Sequence, residues 1–353
     1  MNPKLLINLE KIKQNAVNIK KQCDKNNIKI FGITKVTSAD IKVAEKLIEA
    51  GIYGLGDSRL KNIKNLKKHF PDMPTLLVRL PMLSEISEAV NFCDYMLVSE
   101  IEAIKKIEEQ SILQNKKTDI ILMVDLGDLR EGFWPDETDN YISFLKKLKN
   151  TKISGIGVNL ACYGGVIPDE NKMNELVKLK KLFEKELNIN FQYVSGGNSS
   201  SLPLVLENSI NPEINMLRIG EAIMLGRNVI NRDPWPETFQ DTFILEAEII
   251  ELKKKPSVPS GNIGQDAFGN TPVFKDRGFH HRAILAVGRQ DIDVEGLIPM
   301  GDYEVLGASS DHLIIDVEKI HHNLKVGDTL KFMLSYSALL AAFTSEYVEK
   351  IYI

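Results

Sequence analysis

Residues 29–56 read KIFGITKVTSADIKVAEKLIEAGIYGLG. An apolar run rich in β-formers, KIFGIT (29–34), is followed by the amphipathic stretch IKVAEKLIEA. That stretch stops at Gly51, a helix-ending residue, and a second apolar run, IYGLG (52–56), begins at once. This is one β/α/β unit. The same rhythm continues outward through TLLVRL (75–80), YMLVS (95–99), DIILMVDL (119–126), ISGIGVNL (153–160), FQYVSG (191–196) and MLRIGE (216–221). Helical segments lie between the runs, and Ser99 with Glu102 forms a capping-box pattern before AIKKIEEQ. Eight apolar runs with intervening helices predict parallel strands joined by crossovers, hence an α/β fold with an N-terminal (β/α)8 TIM-type barrel. A doubly wound open sheet shares the alternation and is the rival architecture.

The rhythm ends near residue 230. NRDPWPETF (231–239) has prolines at 234 and 236 and reads as a linker. Beyond it, FILEAEIIEL, RAILAVG, YEVLGA, HLIIDVE and DTLKFML are short strand-like runs separated by turn residues. The division expected is a barrel over 1–230 and a C-terminal β-domain over 236–353.

The whole chain has 353 residues, 43% apolar and 26% charged, so it can bury a large core. With 44 basic and 48 acidic residues the net charge is −4, which gives no pull toward nucleic acid or anionic lipid. No apolar run approaches the roughly 20 residues of a membrane span. The start, MNPKLLINLEKIK, does not read as a secretory signal. Cys23, Cys93 and Cys162 form no CxxC and no even set, which points to a reducing, cytoplasmic setting. The six histidines include the adjacent pairs His280–His281 and His321–His322. Adjacent side chains on a strand face opposite ways, so no metal site is expected.

Catalytic groups of such a barrel sit at the C-terminal ends of its strands. GGNSSS (196–201), at the end of the seventh run, is the strongest signal there. Its glycines allow close backbone approach, and its serines and helix-opening N–H groups suit an anion, at a loop where barrels commonly bind phosphate. A Ser/Gly loop that only caps a helix has the same composition. Lys35 follows the first run directly and should enter the barrel mouth, where partial desolvation favours the neutral, nucleophilic amine. A snorkelling surface lysine is the alternative. Arg218 lies in the eighth run. Pyridoxal 5′-phosphate needs a lysine for its aldimine, a phosphate cradle and a partner for its ring nitrogen, and these three features match it. A barrel enzyme acting on a phosphorylated sugar is the competing class.

The strings MVDLGDLREGF, GVNLACYGGVIP, VSGGNSSS, LRIGEAIMLGR, GQDAFGN, GASSDH and FTSEY span the chain. Together they resemble the fold type III pyridoxal-phosphate enzymes, the alanine racemase superfamily, and within it the ornithine racemases. The resemblance implies an amino-acid racemase that interconverts L- and D-ornithine by two-base proton transfer. Lysine, alanine or broad specificity are the alternatives. A pyridoxal-phosphate-binding homeostasis protein shares the barrel but has no β-domain. By resemblance Lys35 holds the aldimine and is one acid/base group. Asn159, Asn198 and Ser199 bind cofactor, as do Gly220 and Glu221 through their amides, and Tyr336. Arg218 faces the ring nitrogen, Arg130 the substrate carboxylate, and Asp311 lines the substrate end. The resemblance also implies a homodimer whose active sites are shared between subunits.

The chain departs from alanine racemases in several places. Ala39 stands where they carry a tyrosine, Asn159 where they carry a histidine, and Met123 where some carry a lysine. Their opposite-face catalytic tyrosine has no counterpart in GQDAFGN. Asp266 falls nearest that position and is the expected second base, with His280 and His281 soon after. Cys162 is an alternative acid/base group, while Asp125 and Asp128 read as loop caps.

Overall fold

The computed structural model describes residues 3–353. Eight parallel strands close into a barrel: β2 (Lys29–Ile33), β3 (Gly54–Asp57), β4 (Thr75–Leu77), β5 (Tyr95–Val98), β6 (Thr118–Val124), β7 (Thr151–Val158), β8 (Tyr193–Asn198) and β9 (Met216–Ile219). They coincide with the eight apolar runs, and β2 pairs with both β3 and β9, so the open-sheet alternative is ruled out. The helices are α1 (Leu9–Asp24), α2 (Ile41–Glu49), α3 (Leu60–His69), α4 (Ile86–Phe92), α5 (Ile101–Leu113), α6 (Thr138–Leu145), α7 (Glu170–Leu187), α8 (Leu202–Leu206) and α9 (Glu221–Leu225). α1 buries Ile12, Ala16, Ile19 and Cys23, the stripe expected of a helix laid on a barrel. The capping box does not form. Glu100 is the N-cap of α5 without a side-chain cap bond, and the Ser99 carbonyl accepts the Tyr141 hydroxyl.

Side chains alternate along the strands, so Phe31 and Ile33, Ile121 and Met123, with Leu76, Leu97, Tyr193 and Met216, fill the barrel. Met123 is therefore a packing residue. At the barrel floor the Tyr193 hydroxyl meets those of Tyr53 at 2.7 Å and Tyr95 at 3.2 Å, and accepts from Gln192 Nε2 at 2.9 Å. A buried phenol needs such partners.

The second unit is antiparallel apart from one pairing. It holds β1 (Lys4–Ile7), β10 (Phe243–Pro256), β11 (Phe279–Leu285), β12 (Leu297–Pro299), β13 (Glu304–Ala308), β14 (Leu313–Asp316), β15 (Thr329–Leu334), the helix α10 (Tyr336–Thr344) and β16 (Glu349–Tyr352). β1 pairs antiparallel with β10 and parallel with β16.

The unit boundaries differ from the division expected at 1–230 and 236–353. The barrel unit is Leu9–Phe239, and β1 groups with Gln240–Ile353. Two facts explain this. Leu5 and Ile7 are buried, and their strand pairs with β10 and β16, far along the chain. The stretch read as a linker is also tied to the barrel: Trp235 is buried with Nε1 donating to Gln22 Oε1 at 2.8 Å, and Asn15 Oδ1 accepts the Phe239 N–H at 2.7 Å. Among the described residues no helix is long and apolar enough to cross a membrane.

Candidate functional site

The C-terminal strand ends bring most of the expected residues to one mouth. Lys35 follows β2 after one residue, Thr34, is half-buried, and opens a short 3-10 turn. That turn continues into Ser38 and Ala39, both in the left-handed region at φ 49° and 55°. Leu129 and Ala161, after β6 and β7, share this conformation at φ 56° and 53°. Non-glycine residues there carry strain of order 1–3 kcal/mol each, tolerated where loop geometry is over-determined by its surroundings.

Asn198 ends β8 and caps the following turn, its Oδ1 accepting the Ser200 N–H at 2.8 Å. Gly197 has φ +110°, and a Cβ there would meet Ser201 Oγ at 2.9 Å. Ser199 is buried, and its Oγ accepts the N–H of Gly220 at 3.4 Å and of Ala222 at 3.3 Å. Accepting twice leaves its own hydroxyl hydrogen to donate. A Cβ on Gly220 would stand 3.1 Å from Ile33 Cβ and 3.2 Å from Ile33 O, so a side chain there would press β2 back by a few tenths of an ångström.

Arg218 is the buried cation of the mouth. Its Nη1 donates to Ser195 Oγ, and its Nη2 to Val158 O at 3.0 Å and Asn159 Oδ1 at 3.3 Å. Desolvation pushes the guanidinium down to about 10, which still leaves it charged at neutral pH. Arg130, Glu131 and Cys162 act on it electrostatically, so the loops after β6 and β7 converge here. Arg130 itself is paired with Glu131. Burial raises the Glu221 carboxyl against the opposing pull of Arg232 and Lys35.

Three features of this mouth are not visible in the sequence motifs. Arg232, from the stretch read as a linker, pairs with the Glu221 side chain. Asp128 gathers the backbone N–H groups of Cys162 at 3.1 Å, Tyr163 at 3.0 Å and Val166 at 3.2 Å, and so joins two mouth loops. Asn198 Nδ2 donates to Asn159 Oδ1 at 3.1 Å, Leu160 O at 2.9 Å and Cys162 Sγ at 3.3 Å. Asp125 caps its own loop through Gly127 at 2.8 Å and Leu129 at 3.2 Å, as expected.

The other expected residues lie in the second unit. Tyr336 is the first residue of α10. Asp311 is exposed and pairs with His312 Nδ1 at 2.7 Å, which holds its carboxyl below the usual range. Asp266 is exposed, and its Oδ1 accepts the N–H groups of Phe268 and Asn270, each at 2.9 Å. The Asn270 and Phe268 N–H bonds hold its carboxyl low, a poor state for a base. Expecting no metal site follows from looking at adjacent histidines alone. Among the described residues His281 of β11 comes together with Glu318 and His321, which lie three residues apart after β14.

The mouth fits pyridoxal 5′-phosphate on evidence of its own. Asn159 is 6% exposed and its Nδ2 has no hydrogen-bond partner, a buried donor lacking an acceptor. Beside it stand the buried guanidinium, the Ser199 hydroxyl with the amides it orients, and the half-buried amine of Lys35.

Comparison with known proteins agrees with this. The family profile described as "Alanine racemase, N-terminal domain" matches residues 7–228. The chain is 46% identical over 352 residues to a lysine racemase of Thermotoga maritima, covering 99% of this chain and 98% of that protein. It is 42% identical over 354 residues to an ornithine racemase of Acetoanaerobium sticklandii, covering 99% of each. In fold it is similar to an alanine racemase of Bartonella henselae solved with covalently bound pyridoxal phosphate, with a TM-score of 0.76, 16% identity and full coverage of both chains. The chain belongs to the alanine racemase family, pyridoxal-phosphate-dependent racemases built from a (β/α)8 barrel and a β-domain.

Proposed function

We propose that this racemase acts on basic amino acids whose side chain ends in an ammonium, ornithine or lysine. The observation that carries the reading is the naming of two relatives matched over nearly the whole chain. One is an ornithine racemase and the other a lysine racemase. The second has the higher identity.

When bound, pyridoxal phosphate supplies the electron sink that makes the substrate Cα–H acidic. The chain's own groups do the rest. Lys35 anchors the cofactor and holds or returns a proton at Cα from one face. Ser199, Asn198, Asn159, the Gly220 and Glu221 amides and Tyr336 hold the cofactor. Arg218 would face the ring nitrogen and could only donate to it, because a guanidinium does not give up its proton at neutral pH. That withholds a proton from the ring and favours reprotonation at Cα over other outcomes. Arg130 receives the substrate carboxylate once it leaves Glu131.

Asp266 is the group proposed for the opposite face, where it must first release the Phe268 and Asn270 N–H groups that hold its carboxyl low, and Asp311 pairs with the substrate's terminal ammonium, both delivered by the second copy of a homodimer with shared sites.

Chiral chromatography of ornithine, lysine and alanine incubated with the enzyme tests the substrate. We expect kcat/KM for ornithine or lysine to exceed that for alanine by at least about tenfold, equivalent to roughly 1.4 kcal/mol. Equal or faster turnover of alanine overturns the reading.

A further inference from the structure

We infer that His281, Glu318 and His321 form a binding site for a divalent first-row transition metal, zinc in the first instance. His281 lies on β11, Glu318 follows β14, and His321 opens the 3-10 turn His321–Asn323. One ligand atom from each lies within 4.8 Å of the others. Two imidazoles and a carboxylate are a characteristic zinc donor set.

One hydrogen bond orients His321 as a metal ligand requires, whereas His281 and Glu318, now bonded to each other, exchange that bond for the metal. His321 Nδ1 lies 2.7 Å from the Glu318 carbonyl oxygen, which can only accept, so Nδ1 carries the hydrogen and Nε2 the lone pair. His281 Nδ1 meets Glu318 Oε2 at 2.9 Å, and the His281 N–H donates to the same oxygen at 2.6 Å. The two rings stack with centroids 3.6 Å apart and planes within 2°. In a tetrahedral zinc shell, ligand atoms are about 3.3 Å apart. Binding one ion therefore requires the two rings to leave the parallel stack so that their lone pairs converge.

His280, on the other face of β11, is engaged elsewhere, its Nδ1 2.9 Å from Asp316 Oδ2. Each adjacent pair thus contributes one member. The protein supplies three ligands and leaves a position for water. Lys254 stands opposite His281 in the β10–β11 register, which argues for modest affinity. Bound metal would tie the 3-10 turn to β11 and stabilise this unit by mass action.

The test uses the tag-free holoenzyme equilibrated with micromolar zinc(II) chloride and then measured for bound zinc and for Tm. Wild type and H280A should each hold one equivalent of zinc and melt higher with it. H321A and E318Q should lose both the zinc and the shift, while keeping the circular dichroism and zinc-free Tm of a folded protein. Absence of stoichiometric zinc in the wild type overturns the site. So does one equivalent retained by H321A and E318Q.

Discussion

Asn198 Nδ2 donates to Asn159 Oδ1 over 3.1 Å at the centre of the barrel mouth. Arg218 Nη2 donates to the same oxygen, so two donors fix which end of the Asn159 amide is the acceptor. Its NH2 group is left buried with no partner. A buried orphan donor costs of the order of 1–3 kcal/mol, and a ligand acceptor recovers it.

Asn159→Ala should therefore weaken pyridoxal phosphate binding by about tenfold, while taking the shared Oδ1 acceptor away from Asn198 and the buried Arg218 should lower the stability of the cofactor-free protein. Absorbance titration of the stripped enzyme reads the first and thermal melting the second. Unchanged cofactor affinity removes Asn159 from the cofactor site.

Lys35→Ala should abolish the covalent cofactor linkage and nearly all turnover. Borohydride reduction of the wild type should fix the cofactor on the peptide containing Lys35, located by mass spectrometry. A variant that racemises near the wild-type rate places the essential amine elsewhere.

Asp311→Asn and Asp266→Asn keep side-chain shape and remove charge. If the carboxylate of Asp311 pairs a desolvated ammonium, its variant should raise KM for ornithine by roughly one to two decades, with little change for alanine. If Asp266 is the opposite-face base, its variant should lose kcat for every amino acid. Mixing Lys35→Ala with Asp266→Ala should restore partial activity through hybrid dimers if sites are shared.

Glu108 gives the pH dependence of stability a defined sign. Burial alone would raise its carboxyl, but the N–H groups of Lys149 at 2.8 Å, Asn150 at 3.1 Å and Thr151 at 2.7 Å override that and hold it low. A depressed folded-state value stabilises above the unfolded value of about 4.5 and loses that contribution as pH falls through the folded one. Glu108→Gln should cost about 1–2 kcal/mol at neutral pH, and the difference from wild type should shrink in acid. Urea unfolding at both pH values checks this; a gap that widens in acid contradicts the sign.

The barrel was legible from the sequence because its information is local. Each strand announces itself as an apolar run, each crossover as an amphipathic helix, and the run ends set Lys35, Ser199, Arg218 and Gly220 at one mouth before any coordinate is known. What only the tertiary structure decided depends on partners far along the chain. Lys4–Ile7 is too short to reveal that it pairs with Phe243–Ile244 and their neighbours, so the N-terminal strand was assigned to the wrong unit. Two prolines around Trp235 read as a linker because no local signal tells that the indole has Gln22 to reach. The direction of the Asn159 amide, the clamp by Asp128 and the meeting of His281 with His321 arise from donors and acceptors brought together by folding. Periodicity reports the face a residue occupies; only packing reports what lies opposite it.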